Sequence, residues 1–589
     1  MRSHTHLRTP HRGDFALDAR LFRITAMALA IGALSTVAAR VLLDLIRFFT
    51  NLFFFQTFSL ADRSPAAHTL GGWVIVVPVI GGLVVGLVAR YGSDKIRGHG
   101  IPEAIEAILF GKSRMSPKVA LLKPLSSGIV IGSGGPFGAE GPIIMTGGAI
   151  GSLIAQHFHL TAAERKALLV AGATAGMTAV FGTPVAAVLL AVELLLFELR
   201  PRSLLPVAVA CAAAGFMRPL LMDPGPLFPL QTPAPAPLTL VWCVVAGVLC
   251  GALAASLSLS LYKVEDAFGR LPLHWMWWPA IGGLAVGIGG WLQPRALGVG
   301  YDVIGDLLNN RLALGVALAL LAVKAVIWVI SLASGTSGGV LAPLLMMGAG
   351  LGVVLSHVFP GSDPMLWPMV CMAATLGGTM RAPLTATLFA FGLTHDSNAL
   401  LPLLTTSAVA YGFTVLTMRR SILTEKIARR GYHIYREYGV DPLERHGVDE
   451  VMTREVLTLD AALTVREALA RHFGPGQAHR AFPVLRDGAV VGMADRALLM
   501  AHEGTAPAVT VGDVCAGMPL AFALPTDTCR AVATRLASQR LERLPVVRDS
   551  RSMALVGLVA RSDLIKPSLA HFEEEEKRER LSGLPWMSS

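Results

Sequence analysis

Three short segments hold the residues of this chain best placed to do chemistry: Gly98-His-Gly-Ile-Pro102, Gly138-Ala-Glu-Gly-Pro142 and Gly339-Val-Leu-Ala-Pro343. Each sets proline shortly after glycine. Proline is favoured at the first position of a helix, where its missing N–H would have no partner anyway. Glycine lets the chain turn tightly into that helix. Each segment therefore predicts a helix N-terminus. Free N–H groups and the positive end of the helix dipole attract anions there. If the three ends converge, the backbone around His99, Gly100, Ile101, Gly138, Gly141, Val340 and Leu341 can replace an anion's hydration shell. No full counter-charge is needed, which suits transport, because an ion held too tightly cannot leave. Glu140 lies at the second of these starts. Its carboxylate is favoured by the dipole and is itself an anion. Ionised, it can occupy the site meant for a passing ion. Protonated, it leaves, which makes it a gate. The plainer alternative is a helix-capping residue.

The elements that must position these residues occur twice. Residues 123–151 and 324–352 match at a constant offset of 201, pairing Lys123 with Lys324, Ser133 with Ser334, Gly138 with Gly339 and Pro142 with Pro343. A second echo, at offset 199, pairs Gly182-Thr-Pro-Val-Ala-Ala with Arg381-Ala-Pro-Leu-Thr-Ala. The repeated unit is a lysine in an apolar run, a Ser/Gly break and a helix start. Two glycine-broken helix starts from two halves of a membrane protein are how transporters build an ion site near mid-membrane. Lys123 and Lys324 would either raise the local potential for anions or snorkel to an interface.

Composition puts the repeat in a membrane. The chain is 53% hydrophobic and 15% charged, with mean hydropathy +0.58, against about 25% charged in soluble domains. Residues 20–432 hold apolar segments at 24–48, 70–90, 167–197, 204–217, 238–262 and 312–333. Several reach the roughly 20 residues that cross a bilayer. Those at 101–110 and 366–377 are too short and predict half-crossing helices packed inside protein. The expected fold is an all-α polytopic membrane domain in two halves, about 20–222 and 238–432, with a Pro-rich seam between them. A linker (433–447) and a soluble α/β segment (448–566) follow. Residues 1–19 read as disordered and 567–589 as a polar tail.

No cleavable signal is evident. Arg8, Arg12, Arg20 and Arg23 precede the first span, and Arg419, Arg420, Lys426, Arg429 and Arg430 follow the last. By the positive-inside rule both ends are cytoplasmic and the protein sits in the cell membrane. The net charge of +10 then reports topology, not nucleic-acid binding. Six cysteines show no metal spacing and read as reduced and buried. No cofactor loop, metal cluster or nucleophile–base pair appears, and Ser126-Ser127-Gly reads as a helix break, so no enzymatic activity is expected. A divalent-cation transporter would need clustered carboxylates, whereas Glu140, Glu193 and Glu198 are isolated.

The three glycine–proline segments resemble the motifs GSGIP, G(K/R)EGP and GxFxP of the CLC family of chloride channels and chloride/proton exchangers. The resemblance covers about residues 20–432. It implies an inverted-repeat homodimer in the lipid bilayer, with one pore per subunit for chloride or another small anion. It also casts Glu140 as the gating glutamate. Several positions depart from the family pattern. The serine that lends a hydroxyl to the central anion is His99, which can donate N–H bonds or turn away. The basic residue before the gate is Ala139, and the aromatic of GxFxP is Leu341. The anion-binding tyrosine falls at Leu423, within Ser421-Ile-Leu-Thr424. After Phe181-Gly-Thr-Pro184, the inner proton-relay glutamate of exchangers falls at Leu194, with Glu193 one residue earlier.

Residues 448–566 also repeat, as 448–504 and 511–566. Strand-length runs at 482–485, 489–493, 544–547 and 554–559 alternate with helical patterns at 464–472 and 528–540. The segment resembles a tandem pair of CBS domains. Gly557-Leu-Val-Ala-Arg-Ser-Asp563 is similar to the stretch that holds a nucleotide ribose, which implies a possible adenine-nucleotide ligand at Ser562 and Asp563. The matching stretch from Gly492 lacks both residues. No other cofactor is implied. The expected function is channel-like chloride conduction, because a proton crossing an apolar stretch needs relay groups and Leu194 offers none. The alternative is a proton-coupled exchanger using Glu193, Glu198, His99 or a water wire.

Overall fold

The computed structural model describes residues 20–359, 363–434, 443, 446–474, 477, 479–503 and 509–566. The expectations for residues 1–19, for much of the 433–447 linker and for the 567–589 tail fall outside them. The described residues form two units, the first within 20–434 and the second within 443–566.

The first unit is helical and says its architecture twice. The first half runs α1 (Arg20–Phe55), α2 (Val76–Tyr91), α3 (Ile101–Leu109), α4 (Pro117–Gly132), α5 (Glu140–Gln156), α6 (Ala162–Phe181), α7 (Pro184–Leu190) and α8 (Pro201–Leu221). The second half runs α9 (Pro237–Gly269), α10 (Trp278–Leu292), α11 (Tyr301–Leu308), α12 (Leu314–Ala333), α13 (Leu341–Ser356), α14 (Leu366–Met380), α15 (Pro383–Thr394) and α16 (Leu400–Thr417), followed by α17 (Ile422–Arg429). The same neighbours pack in each half: α5 on α6, and α13 on α14. Every residue of α14 is buried. Long helices such as α1 and α9 instead expose Leu, Val and Phe along one side. That is the arrangement of a bundle whose outer helices meet lipid and whose short inner helices are shielded by protein. Among the described residues, six helical segments are long and apolar enough to cross a membrane.

One reading of the sequence is refined here and one corrected. The apolar run 167–197 divides into three elements. Gly182 adopts a left-handed conformation (φ 72°) and Pro184 opens α7, so α6 stops at Phe181 and a π-helical turn, Ala191–Leu196, ends the run. Ser126-Ser127-Gly does not break a helix. α4 continues through it, and both hydroxyls meet Ser337 Oγ from the second half, at 3.2 and 2.9 Å.

The seam between the halves is the loop from Met222 to Ala236. It is not loose. Phe228 and Leu230 donate N–H bonds to the last carbonyls of α15, Leu393 and Thr394, at 2.8 and 3.1 Å. All six cysteines are buried and unbridged.

The second unit holds two hairpins built alike. β2 (Ala481–Arg486) pairs antiparallel with β3 (Ala489–Asp495), and β4 (Arg543–Val547) with β5 (Leu555–Ala560). The registers correspond, Val484 facing Gly492 and Val546 facing Gly557, each with a bulge just after. β1 (Leu459–Asp460) adds in parallel to β2. Each hairpin covers its own small apolar core.

Candidate anion site

The three predicted helix starts meet. Gly138 and Gly339 exchange backbone bonds at 3.3 and 3.0 Å, which ties the start of α5 to the start of α13. Gly98 donates to Gly335 O at 3.4 Å, which ties the approach of α3 to the same second-half segment. A Cβ on Gly141 would strike His99 O, so the starts of α5 and α3 also touch. The proline positions need correction. Pro102 is the second residue of its helix, and Pro142 and Pro343 are the third. The reason for tolerating them is unchanged, because the first-turn N–H groups have no acceptor within the helix.

Glu140 lies at the centre of this meeting. Its side chain is fully buried. Oε1 accepts the N–H of Leu341, the first residue of α13, and Oε2 has no partner. The carboxylate of α5 thus sits on the N-terminus of α13. Glycines make the room: a Cβ on either Gly138 or Gly339 would land on that carboxylate. His99, Ile101, Val340 and Leu341 are all buried around the same junction, and His99 Nδ1 has no partner.

Gly100 is a correction. Its amide is not free for an anion, because it donates to Glu103 Oε2 at 2.9 Å. Glu103 is held in turn by Lys426 Nζ at 3.2 Å and by Arg430 at 3.1 Å, both from α17 and just beyond it. Sequence reasoning missed this cluster. A glutamate three residues after a helix cap is a recognisable capping box, and Glu103 stands in that relation to Gly100. In the sequence, Lys426 and Arg430 stand out only as markers of topology.

Leu423 is buried on the first turn of α17, which packs against α3 and α14. Leu194 is fully buried in the π-helical turn. Glu193, beside it, caps α15. It accepts from the backbone of Leu384 and Thr385 at 3.3 and 2.8 Å and from the Thr385 hydroxyl at 2.6 Å. The buried lysines do not snorkel. Lys123 Nζ donates to Ile96 O and Gly98 O at 2.8 and 2.9 Å, and Lys324 Nζ to Ala296 O and Gly298 O at 2.9 and 2.8 Å. Each ties down a loop.

In the second unit, Asp563 does not present a free carboxylate. It accepts from Ala560 N at 2.8 Å and pairs with Lys566 at 2.8 Å. Ser562 caps the short turn that follows, without a side-chain bond. Among the described residues, no group of three metal-ligating side chains is close enough to hold a metal ion.

A twice-repeated helical membrane unit, with helix N-termini of both halves gathered around one buried carboxylate, has the architecture of an anion-transport protein. The comparisons agree. Residues 80–415, more than half of the chain, match the family described as voltage gated chloride channel, and the chain belongs to it. Residues 448–501 and 511–569 each match the CBS domain. The voltage-gated ClC-type chloride channel ClcB of Salmonella dublin is 30% identical over 408 residues, which cover 66% of this chain and 95% of that one. The H(+)/Cl(-) exchange transporter ClcA of Salmonella paratyphi A is 24% identical over 402 residues, 65% and 83% of the two chains. A solved eukaryotic CLC transporter shares the fold at TM-score 0.61 and 17% identity, covering 92% of this chain and 98% of its own.

Proposed function

We propose that this protein conducts chloride through a CLC-type pore gated by Glu140, and that it is channel-like and not an obligate proton exchanger. CLC-type chloride transport follows from family membership. The observation that carries the gate is the Glu140 carboxylate seated on the Leu341 amide, where an anion in transit would sit. Channel-like behaviour is supported by the inner position. Leu194 cannot carry a proton, and the adjacent Glu193 is occupied as the cap of α15. Relatives of both kinds exist, so transport itself must decide. In liposomes holding the full chain, the reversal potential should follow the chloride gradient alone. A fixed displacement on imposing a proton gradient would establish exchange instead.

The central anion rests mainly on backbone N–H groups at the start of α13, because Leu423 has no donor. A hydrogen bond from a neutral donor to an anion is worth roughly 1.5–3 kcal/mol, and about 1.4 kcal/mol is a factor of ten. Chloride binding should therefore be weak, and Leu423→Tyr should tighten it at least tenfold by calorimetry. Micromolar affinity in the unmodified protein would contradict this and point to His99 as a donor.

An adenine nucleotide at the second CBS repeat would have to displace Lys566 from Asp563. If ATP or AMP binds there, heat of binding should fall in Asp563→Ala. No heat from either nucleotide in the unmodified protein retires the ligand.

A further inference from the structure

The second half contains a counterpart of the α3 start that the sequence repeat does not advertise. Gly298 and Gly300, before α11, hold φ of 63° and 77°, as Gly98 and Gly100 before α3 hold 83° and 89°. Lys324 fastens the α11 loop as Lys123 fastens the α3 loop, each through two carbonyls. Where α3 opens with Ile101, α11 opens with Tyr301.

The Tyr301 hydroxyl is buried and has no hydrogen-bond partner. Its ring stands edge-on to Phe181 and Phe228, with centroids 6.3 and 6.2 Å away, so neighbours on two sides confine it. α11 packs against α13, the helix whose first amide holds the Glu140 carboxylate. The phenol lies within electrostatic range of that carboxylate. Glu140 Oε2 is likewise buried and unpartnered. A donor without an acceptor thus stands near an acceptor without a donor. Native structures seldom leave a buried polar group unpaired without cause. A second arrangement, in which the two groups meet, would supply the cause.

We propose that Tyr301 is the residue that receives Glu140: its hydroxyl donates to the carboxyl group when that group, protonated, leaves the start of α13 and an anion takes its place. This rests on the gate reading. A carboxyl that leaves the helix N–H groups on protonation would otherwise enter a shell of Phe181 and Phe228 without a hydrogen-bond partner, which is disfavoured even for a neutral polar group. Tyr301 is a positioning residue for the gate and does not itself bind the permeating anion.

The test is anion flux from full-length protein in liposomes, with four proteins compared: the unmodified chain, Tyr301→Phe, Glu140→Ala, and the pair combined. Phenylalanine keeps the ring and removes only the hydroxyl. Tyr301→Phe alone should slow flux by about two- to tenfold, the worth of one hydrogen bond between neutral groups. Added to Glu140→Ala it should change nothing, and flux from that double variant at the Glu140→Ala level also shows that the phenylalanine protein folds. Equal slowing in both backgrounds would overturn the proposal, since the phenol would then serve the anion or the fold. Unchanged flux in Tyr301→Phe alone would overturn it as well. The gate reading is judged separately, by whether Glu140→Ala differs from the unmodified chain.

Discussion

Replacing Glu140 by glutamine is expected to raise anion flux about tenfold near neutral pH, and to remove its dependence on pH. The carboxylate accepts the Leu341 N–H at the start of α13, within a fully buried pocket. A hydrogen bond to an ionised group is stronger than its neutral counterpart, by a factor of about two. Under the proposed gate, the ionised side chain competes well with chloride for the same amides. Glutamine fits the space and can still accept that bond, but without charge it competes poorly. The sign with pH follows. Protonation removes the negative charge, so flux through the unmodified protein should rise as pH falls. The glutamine variant should sit at the high level throughout. Flux from purified protein in liposomes, measured from about pH 4 to about pH 8, checks both statements. A flat profile in the unmodified protein would sink the gate.

Much of this site is legible in the sequence alone, and the parts that are not share a cause. Glycine followed by proline marks a helix start locally, so Gly98–Pro102, Gly138–Pro142 and Gly339–Pro343 were found where they lie. The repeat at offset 201 brought two of them together. What the pattern could not give was the partner of a buried polar side chain. Ser126 and Ser127 read as a break because small polar residues disfavour helix interiors. The helix survives because Ser337, 210 residues from Ser127, meets their hydroxyls. Glu193 looked like a spare acid next to a lost relay, yet its acceptor role is set by α15, 192 residues on. Lys426 and Arg430 carried a topology signal strong enough to hide their contact with Glu103. Periodicity reports which face is apolar, and local motifs report where chains turn. Neither reports which distant backbone group a buried polar atom will find.

The lysine pair makes this point testable. Lys123 and Lys324 were visible at once as repeat partners, and their apolar surroundings suggested either a field for anions or escape to an interface. Instead each is fully buried and spans two carbonyls of the loop before a helix start. Methionine in place of either keeps the apolar stem and removes the donor. Two buried carbonyls then lose their partner, at about 1–3 kcal/mol each, partly offset because a buried polar head is also removed. Lys123→Met and Lys324→Met should each destabilise the fold by about 2–4 kcal/mol, read as a lowered melting temperature by size-exclusion in detergent. The two losses should be similar, because the two loops are fastened in the same way. Their effects on transport should differ. The Lys123 loop carries His99 and the start of α3, so its loosening should also weaken chloride binding. The Lys324 loop carries the start of α11, so binding should hold while flux falls. If both variants kept full stability and lost only chloride affinity, the lysines would be acting through their charge, and the loop-fastening role would be wrong.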